Sequence, residues 1–104
     1  MMIRTADLSD LQDVYDWRND SFSRSTFLNS EVVSLNEHTD WYQRSLKNPN
    51  RIIYIGIIND LKVGVVRFDF NENTEQSEVS INLNPLLRVK GLGFRLLSKS
   101  ISVY

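Results

Sequence analysis

Three apolar segments separated by short polar turns dominate the second half of the sequence. Residues 51–58 form a nearly continuous run of isoleucine and tyrosine, and valine and phenylalanine recur through residues 62–71. Residues 77–83 alternate between apolar and polar side chains, which is the period of a β-strand. Asn59-Asp60 and residues 71–76 are typical of turns, and Pro85 ends the last segment. Because parallel strands need long crossovers, connections this short predict an antiparallel meander.

The first third of the chain predicts a strand followed by a helix. Residues 3–6 are expected to form a short opening strand. Ser9 followed by Gln12 has the pattern of a capping box, and apolar residues then recur at helical spacing. We therefore expect a first helix that ends at about Asn19.

Two more helices are predicted on either side of the meander. Ser34 followed by Glu37 repeats the capping pattern, and Pro49 must end the helix that begins there. Helical spacing returns after Gly91. The predicted fold is α+β, in one domain over residues 1–104: strand, helix, helix, three-strand antiparallel meander, glycine loop, helix.

Composition narrows the function classes. The 12 basic and 13 acidic residues leave a net charge of -1, which argues against a nucleic-acid partner. With no cysteine and only His38 among histidines, no metal site is expected. No segment has the pattern of a signal peptide or a membrane span, so no membrane partner and a cytoplasmic location are expected.

The connection between the last strand and the last helix predicts an anion site. Gly91 and Gly93 would let the backbone approach a ligand closely, and Arg88 and Lys90 would add positive charge at its rim. Unsatisfied N–H groups at a helix N-terminus favour phosphate. A Rossmann fingerprint would need a small residue where Leu96 stands and a parallel βαβ unit. The lysine and serine or threonine of a Walker A loop are also missing.

The pattern Arg88-x-x-Gly91-x-Gly93 after a strand resembles the coenzyme A signature of the GCN5-related N-acetyltransferase family. The resemblance extends over essentially all of the chain and implies acetyl-CoA as cosubstrate. It implies that the backbone of the loop holds the pyrophosphate and that the preceding strand holds the pantetheine arm. The implied cofactor-binding residues are Ile81, Asn82, Leu83, Arg88, Val89, Lys90, Gly91, Leu92, Gly93 and Phe94.

The two predicted helices resemble family members that acetylate nucleotide-linked amino sugars, such as enzymes of pseudaminic-acid synthesis. That resemblance implies a substrate site formed by Arg18, Asn19, Arg24 and Trp41. Plainer roles stay open: Trp41 packs in many such helices, and Arg18 complements a helix dipole without any ligand. A protein N-terminus or a small polyamine is the alternative acceptor.

Acetyl transfer to an amine needs a general base rather than a covalent intermediate. Glu78, at the start of the last strand, is the first candidate, followed by Asp69 and His38. We expect His38 to be solvated or locally hydrogen-bonded in the first turn of its helix.

Relatives of this kind continue beyond the helix in which this sequence ends at Tyr104. The fold is therefore expected to lack the C-terminal strands, leaving residues 77–83 as an open sheet edge. Such an edge predicts a homodimer or an exchange of elements between copies. A truncated relative or fragment without activity is the competing hypothesis.

Overall fold

The computed structural model describes residues 1–20, 33–87 and 91–104. Within them the strands are β1 (Met2–Thr5), β2 (Arg51–Ile58), β3 (Leu61–Asn71) and β4 (Gln76–Leu83). The helices are α1 (Leu11–Asn19), α2 (Leu35–Lys47) and α3 (Leu92–Val103), with single 3-10 turns at Leu8–Asp10 and Pro85–Leu87.

The four strands form one antiparallel sheet in the order β1-β2-β3-β4, which confirms the predicted α+β fold and its meander. Asn59 and Asp60 have φ values of 50° and 65°, and this left-handed pair closes the β2–β3 hairpin. β4 is an outer strand of the sheet, as the sequence predicts.

The sheet has helices on both faces, which explains why β2 and β3 are apolar almost without interruption. Ile53, Ile55 and Val65 pack with residues of α1 and α2 on one face. Tyr54, Val66 and Phe68 pack with Leu96 of α3 on the other. A strand buried on both faces loses the alternation that marks a half-exposed one.

The first helical turn is capped differently from the prediction. Ser9 and Gln12 do not form the expected box. Instead, the Asp7 carboxylate accepts a hydrogen bond from the Ser9 N–H at 2.9 Å, and the Asp10 carboxylate accepts one from the Asp7 N–H at 3.0 Å. Aspartate is as good a cap as serine, so the helical turn begins at the earlier of two suitable residues.

Asp10 is fully buried and holds the start of the chain against the sheet. Arg4 donates two hydrogen bonds to its carboxylate, at 2.7 and 2.8 Å, and the Lys62 Nζ lies 2.7 Å from it. Burial alone would raise the pKa of Asp10, but these bonds outweigh burial and hold its pKa well below the usual 3.8.

Helix α2 begins and ends where its sequence predicts. The Ser34 hydroxyl accepts a hydrogen bond from the Glu37 N–H at 3.2 Å, and the helix ends at Lys47, before Pro49. The Tyr42 hydroxyl donates to the Asp7 carbonyl at 2.7 Å, which ties α2 to the first turn of the chain.

Helix α3 is seated on the sheet by two glycines. Gly56 and Gly64 are direct partners on β2 and β3, and the fully buried Leu96 lies over both. A Cβ on Gly56 would stand 2.4 Å from Leu96 Cδ1, and one on Gly64 would stand 2.8 Å from Leu96 Cδ2. Larger residues at these two positions would collide with the Leu96 side chain, so the two glycines let Leu96 of α3 lie this close to the sheet.

Candidate functional site

The N-terminus of α3 presents backbone donors. Gly91 precedes the helix with φ 84°, and the first helical hydrogen bond is donated by Arg95 N–H to the Gly91 carbonyl at 3.1 Å. The N–H groups of Leu92, Gly93 and Phe94 come before that bond and have no partner within the helix. In the described part of the chain no side chain caps this helix. Donors of this kind at a helix N-terminus favour an anion.

Gly91 and Gly93, at this end of α3, are surrounded by different structure. Gly91 needs its positive φ, and a Cβ added to it would meet nothing within 4 Å, so open space lies beside it. Gly93 lies in the first turn of the helix, where a Cβ would make an ordinary contact of 3.5 Å with Leu83 Cδ1. The space needed by a ligand is therefore found at Gly91.

Arg88, Val89 and Lys90 lie outside the described residues, and so does Arg24 from the predicted substrate site. Their roles stay predictions from the resemblance. Among the described loop residues, Leu92 is buried whereas the Phe94 side chain is 76% exposed.

Beside this helix end, the outer edge of β4 has no strand paired with it in the described residues, and we call it the free edge. The Asn84 N–H donates to the Val63 carbonyl at 2.9 Å, so the backbone of Asn84 faces β3. Peptide groups alternate in an antiparallel ladder, so Asn82 also faces β3 whereas Ile81 and Leu83 face outward. The outward N–H and C=O groups lie on the same strand end as the start of α3. They could pair with an amide-containing chain such as pantetheine.

Asn84 is a positioning residue to which the sequence analysis assigns no role. Its Nδ2 donates to the Lys62 carbonyl at 3.0 Å, and its Oδ1 accepts from the Leu86 N–H at 3.0 Å. It thereby fixes the end of β4 to β3 and starts the turn that leads to α3. An asparagine directly before a proline was the available signal, because its side chain commonly organises such turns.

The predicted general bases lie on the helix-α2 side of the sheet. Glu78 and Asp69 are direct cross-strand partners on β4 and β3, and Glu78 is exposed. Asp69 forms ion pairs with Arg51 and with Arg67, the latter at 2.9 Å. Asp69 is occupied as a counter-ion, so Glu78 is the freer of the two carboxylates.

His38 is not solvated, which corrects the sequence expectation. It is 0% exposed, and its Nε2 donates to the Leu11 carbonyl at 3.1 Å, a partner 27 residues away. Its ring lies among Tyr15, Trp41 and Tyr42 at centroid distances of 5.2 to 5.7 Å. Burial lowers its pKa, which keeps the ring neutral. A packing role explains this position, and burial argues against its predicted catalytic role.

Trp41 lies under three guanidinium groups. The Cζ atoms of Arg18, Arg67 and Arg51 are 4.8, 5.2 and 5.6 Å from the centroid of its ring, within cation–π range. We call Trp41 and these three residues the arginine cluster. Arg18 and Trp41 were predicted for the substrate site; Arg67 was missed. The sequence feature that could have indicated Arg67 is a charged residue within an apolar strand, two positions before Asp69.

Asn19 makes structural contacts. Its side-chain Nδ2 donates to the Val33 carbonyl at 2.8 Å, and its Oδ1 accepts from the Val33 N–H at 3.0 Å. This two-bond pairing mimics a strand ladder and holds the end of α1 beside the entry to α2. The substrate role of Asn19 stays a prediction, and in this structure its side-chain amide is engaged by the Val33 backbone.

A cleft of about 260 Å³ adjoins the first turn of α3. It lies against the β2–β3 hairpin and is lined by Ile58, Asn59, Leu61, Val63, Leu87, Leu92 and Arg95. In the described ranges no group of three or more acidic or histidine side chains could hold a metal ion. No helix there is long and apolar enough to cross a membrane.

The sequence matches no protein-family model and no curated protein. Solved structures do match. A Staphylococcus aureus N-acetyltransferase has a TM-score of 0.77 at 25% identity, with 97% of this chain and 64% of that one covered. A ribosomal-protein-alanine N-acetyltransferase from Brucella melitensis has 0.75 at 22%, covering 98% and 65%. A Vibrio cholerae spermidine N-acetyltransferase, solved with CoA and spermine, has 0.84 at 16%, covering 97% and 61%. The chain has the fold of the N-terminal part of these enzymes and spans less than two thirds of their length.

Proposed function

We propose that this chain binds acetyl-CoA and transfers its acetyl group to a primary amine. The carrying observation is that the uncapped N-terminus of α3 and the free edge of β4 lie together at one end of the sheet. Donors arranged in this way suit a pyrophosphate and an amide-containing arm. The fold shared with solved N-acetyltransferases supports the same ligand.

In the proposed complex, the N–H groups of Leu92, Gly93 and Phe94 bind the pyrophosphate. The outward backbone groups of Ile81 and Leu83 bind the pantetheine arm and orient the thioester carbonyl at the edge of β4. Arg88 and Lys90 are proposed to add charge beside the loop. The cleft against the β2–β3 hairpin adjoins the same helical turn and can take part of the ligand.

The proposed reaction is a direct attack on the thioester. The amine nitrogen forms a bond to the carbonyl carbon, the carbon–sulfur bond breaks, and coenzyme A leaves as a thiolate that takes up a proton. The ammonium group of the acceptor must first lose a proton, and we assign that step to Glu78 acting through water. A backbone N–H of β4 would stabilise the developing oxyanion.

The test is calorimetric titration of acetyl-CoA into Gly91→Asp and Gly91→Asn. Both residues tolerate the left-handed backbone at Gly91, and they differ by one negative charge. A charge some 5 Å from the pyrophosphate costs about 1.5–3 kcal/mol. We expect Gly91→Asp to bind at least about tenfold more weakly than Gly91→Asn. Equal binding by the two variants, or no binding by a folded wild-type chain, would reject the site.

The finer identity of the acceptor is also a proposal. The resemblance of the first two helices favours an amino sugar on a nucleotide, whereas the Vibrio cholerae neighbour acts on spermidine. An acetylation assay with both classes of amine separates them through the release of coenzyme A. A cytoplasmic location accompanies either acceptor in this proposal.

The free edge of β4 has a second candidate occupant. Another copy of the chain could pair with it as a homodimer or by exchange of elements, because exposed strands pair readily. Sedimentation without and with acetyl-CoA distinguishes the two occupants. A dimer that dissociates when acetyl-CoA binds would place both on the same edge, and a monomer at high concentration would exclude the second copy.

A further inference from the structure

We infer that the arginine cluster binds an anionic group of the acceptor, so the acceptor is an amine that also carries a phosphate or carboxylate. This inference rests on the proposed function and names the substrate class. It assigns binding roles to Arg67 and Arg51, which neither the sequence nor the shared fold indicated. Arginine suits the task because its planar guanidinium donates two parallel hydrogen bonds to such groups.

The charge balance of the cluster is the first observation. Three guanidinium groups surround Trp41, and one carboxylate, Asp69, forms ion pairs with two of them. Counting only the cluster's ion pairs between described residues, three positive charges and one negative charge leave a net charge of two. Glu37 attracts Arg18 but forms no ion pair with it in the described residues, and Glu78 is exposed opposite Asp69.

The second observation is that Arg18 has an unmet hydrogen bond. Its Nη1 is buried and has no acceptor in the described ranges. Burial lowers the pKa of this guanidinium, and the nearby Arg67 lowers it further. Both effects oppose folding, because a buried donor and two like charges are left without compensation. An anion arriving with the acceptor would satisfy the donor and the charge together.

The position of the cluster connects it with the acetyl group. The Arg67 Nη2 donates to the Ser80 hydroxyl at 3.2 Å, and Ser80 directly precedes Ile81, whose backbone faces the free edge. An anion held by Arg67 would therefore leave an attached amine within reach of that edge. A polyamine has only positive charge to offer, and the cluster would repel it.

The test compares four small probes by calorimetry with the intact chain: O-phosphoethanolamine, β-alanine, ethanolamine and spermidine. We expect the phosphate or the carboxylate probe to bind. Ethanolamine and spermidine, which carry no acidic group, should bind at least about tenfold more weakly. Whichever of the two anionic probes binds more tightly shows whether the acceptor carries a phosphate or a carboxylate. Equal binding of spermidine would overturn the inference, and so would the failure of all four probes.

Variants separate the cluster from general charge. Arg18→Gln and Arg67→Gln should each weaken the anionic probe about tenfold. Arg44→Gln is the matched control, because Arg44 lies on the same helix as Trp41, its side chain is 71% exposed, and its ion pair among the described residues is with Asp40. It should change binding less than about twofold. An equal loss in Arg44→Gln would show a diffuse charge effect and would reject the site.

Stability provides the readout that a structural arginine would not give. Arg18→Gln should raise the midpoint of thermal unfolding by roughly 2–4 °C, because it removes a desolvated charge repelled by Arg67. A fall of similar size would mean that Arg18 serves the fold, and would overturn the inference. Binding of acetyl-CoA is measured on the same variants; if it fails while the probes bind, the proposed function is wrong and the anion site stands.

Discussion

Two groups of charges in this protein are built in opposite ways. At Asp10, one fully buried carboxylate accepts two hydrogen bonds from Arg4 and pairs with Lys62. In the arginine cluster, the one acid Asp69 pairs with Arg51 and Arg67, and the Nη1 of Arg18 has no acceptor in the described residues. A satisfied cluster stabilises a fold, whereas an unsatisfied one costs stability and therefore calls for a ligand. This difference is the basis of the binding role that we infer for the arginine cluster.

The largest expected effect is the loss of the satisfied cluster. Asp10→Asn should lower the free energy of unfolding by about 3 kcal/mol, because Arg4 and Lys62 lose their common counter-ion. Urea unfolding followed by circular dichroism measures this change. Asp40→Asn is the control, because the Asp40 side chain is 73% exposed, and it should cost less than about 0.5 kcal/mol. A cost below 1 kcal/mol for Asp10→Asn would erase the distinction between the two clusters.

Acidic pH should remove the stabilisation that the Asp10 carboxylate provides. The folded pKa of Asp10 lies below its unfolded value of 3.8, so its stabilisation is present above pH 3.8 and is lost as the pH falls below that value. The difference in stability between wild type and Asp10→Asn should therefore narrow in acid. Urea midpoints for both proteins between pH 5 and the lowest pH at which they fold measure it, and a constant difference would contradict the pKa direction.

Opposite signs are expected when one arginine is removed from each cluster. Arg4→Met should cost about 1–2 kcal/mol, because Asp10 loses two hydrogen bonds. Arg18→Met should be neutral or add about 0.5–1 kcal/mol, because an apolar chain replaces an unpaired, partly buried charge. Equilibrium unfolding of the pair gives both values. Losses of the same size would show that Arg18 is also structural.

The smallest expected effect concerns His38, which lies beneath the arginine cluster. Its pKa is lowered by burial, so the unfolded chain takes up the proton first and stability is lost as the pH falls below about 6.5. His38→Phe should flatten the change in urea midpoint between pH 7 and pH 5. If the change persists unaltered in that variant, another group causes it.

The elements of the fold could be predicted because each has a local signal. The apolar period predicted the strands and helices, Asn59-Asp60 predicted the turn between β2 and β3, and Pro49 limited α2. The seat of α3 could not be predicted. It depends on Gly56 and Gly64 being partners across two strands, and nothing local in either glycine reveals that register.

The candidate site also combines features with a local sequence signal and features that depend on residues distant in the sequence. The glycine loop could be recognised from the sequence because a short motif places Gly91 where the backbone has a positive φ. His38 was misjudged, because the position of a residue in the first turn of a helix does not tell which way it faces; Tyr42 and Tyr15 decide that by packing around it. Arg67 was missed because its importance comes from Arg18 and Trp41, far away in sequence.

The most direct test of the central claim is a ¹H–¹⁵N spectrum of the chain titrated with acetyl-CoA. The account predicts that the largest amide shifts occur at Gly93 and Phe94 and at the outward groups Ile81 and Leu83. The amide of Asp10, in the satisfied cluster, should stay where it is. Binding accompanied by shifts near Asp10, with the start of α3 and the edge of β4 unchanged, would contradict the account.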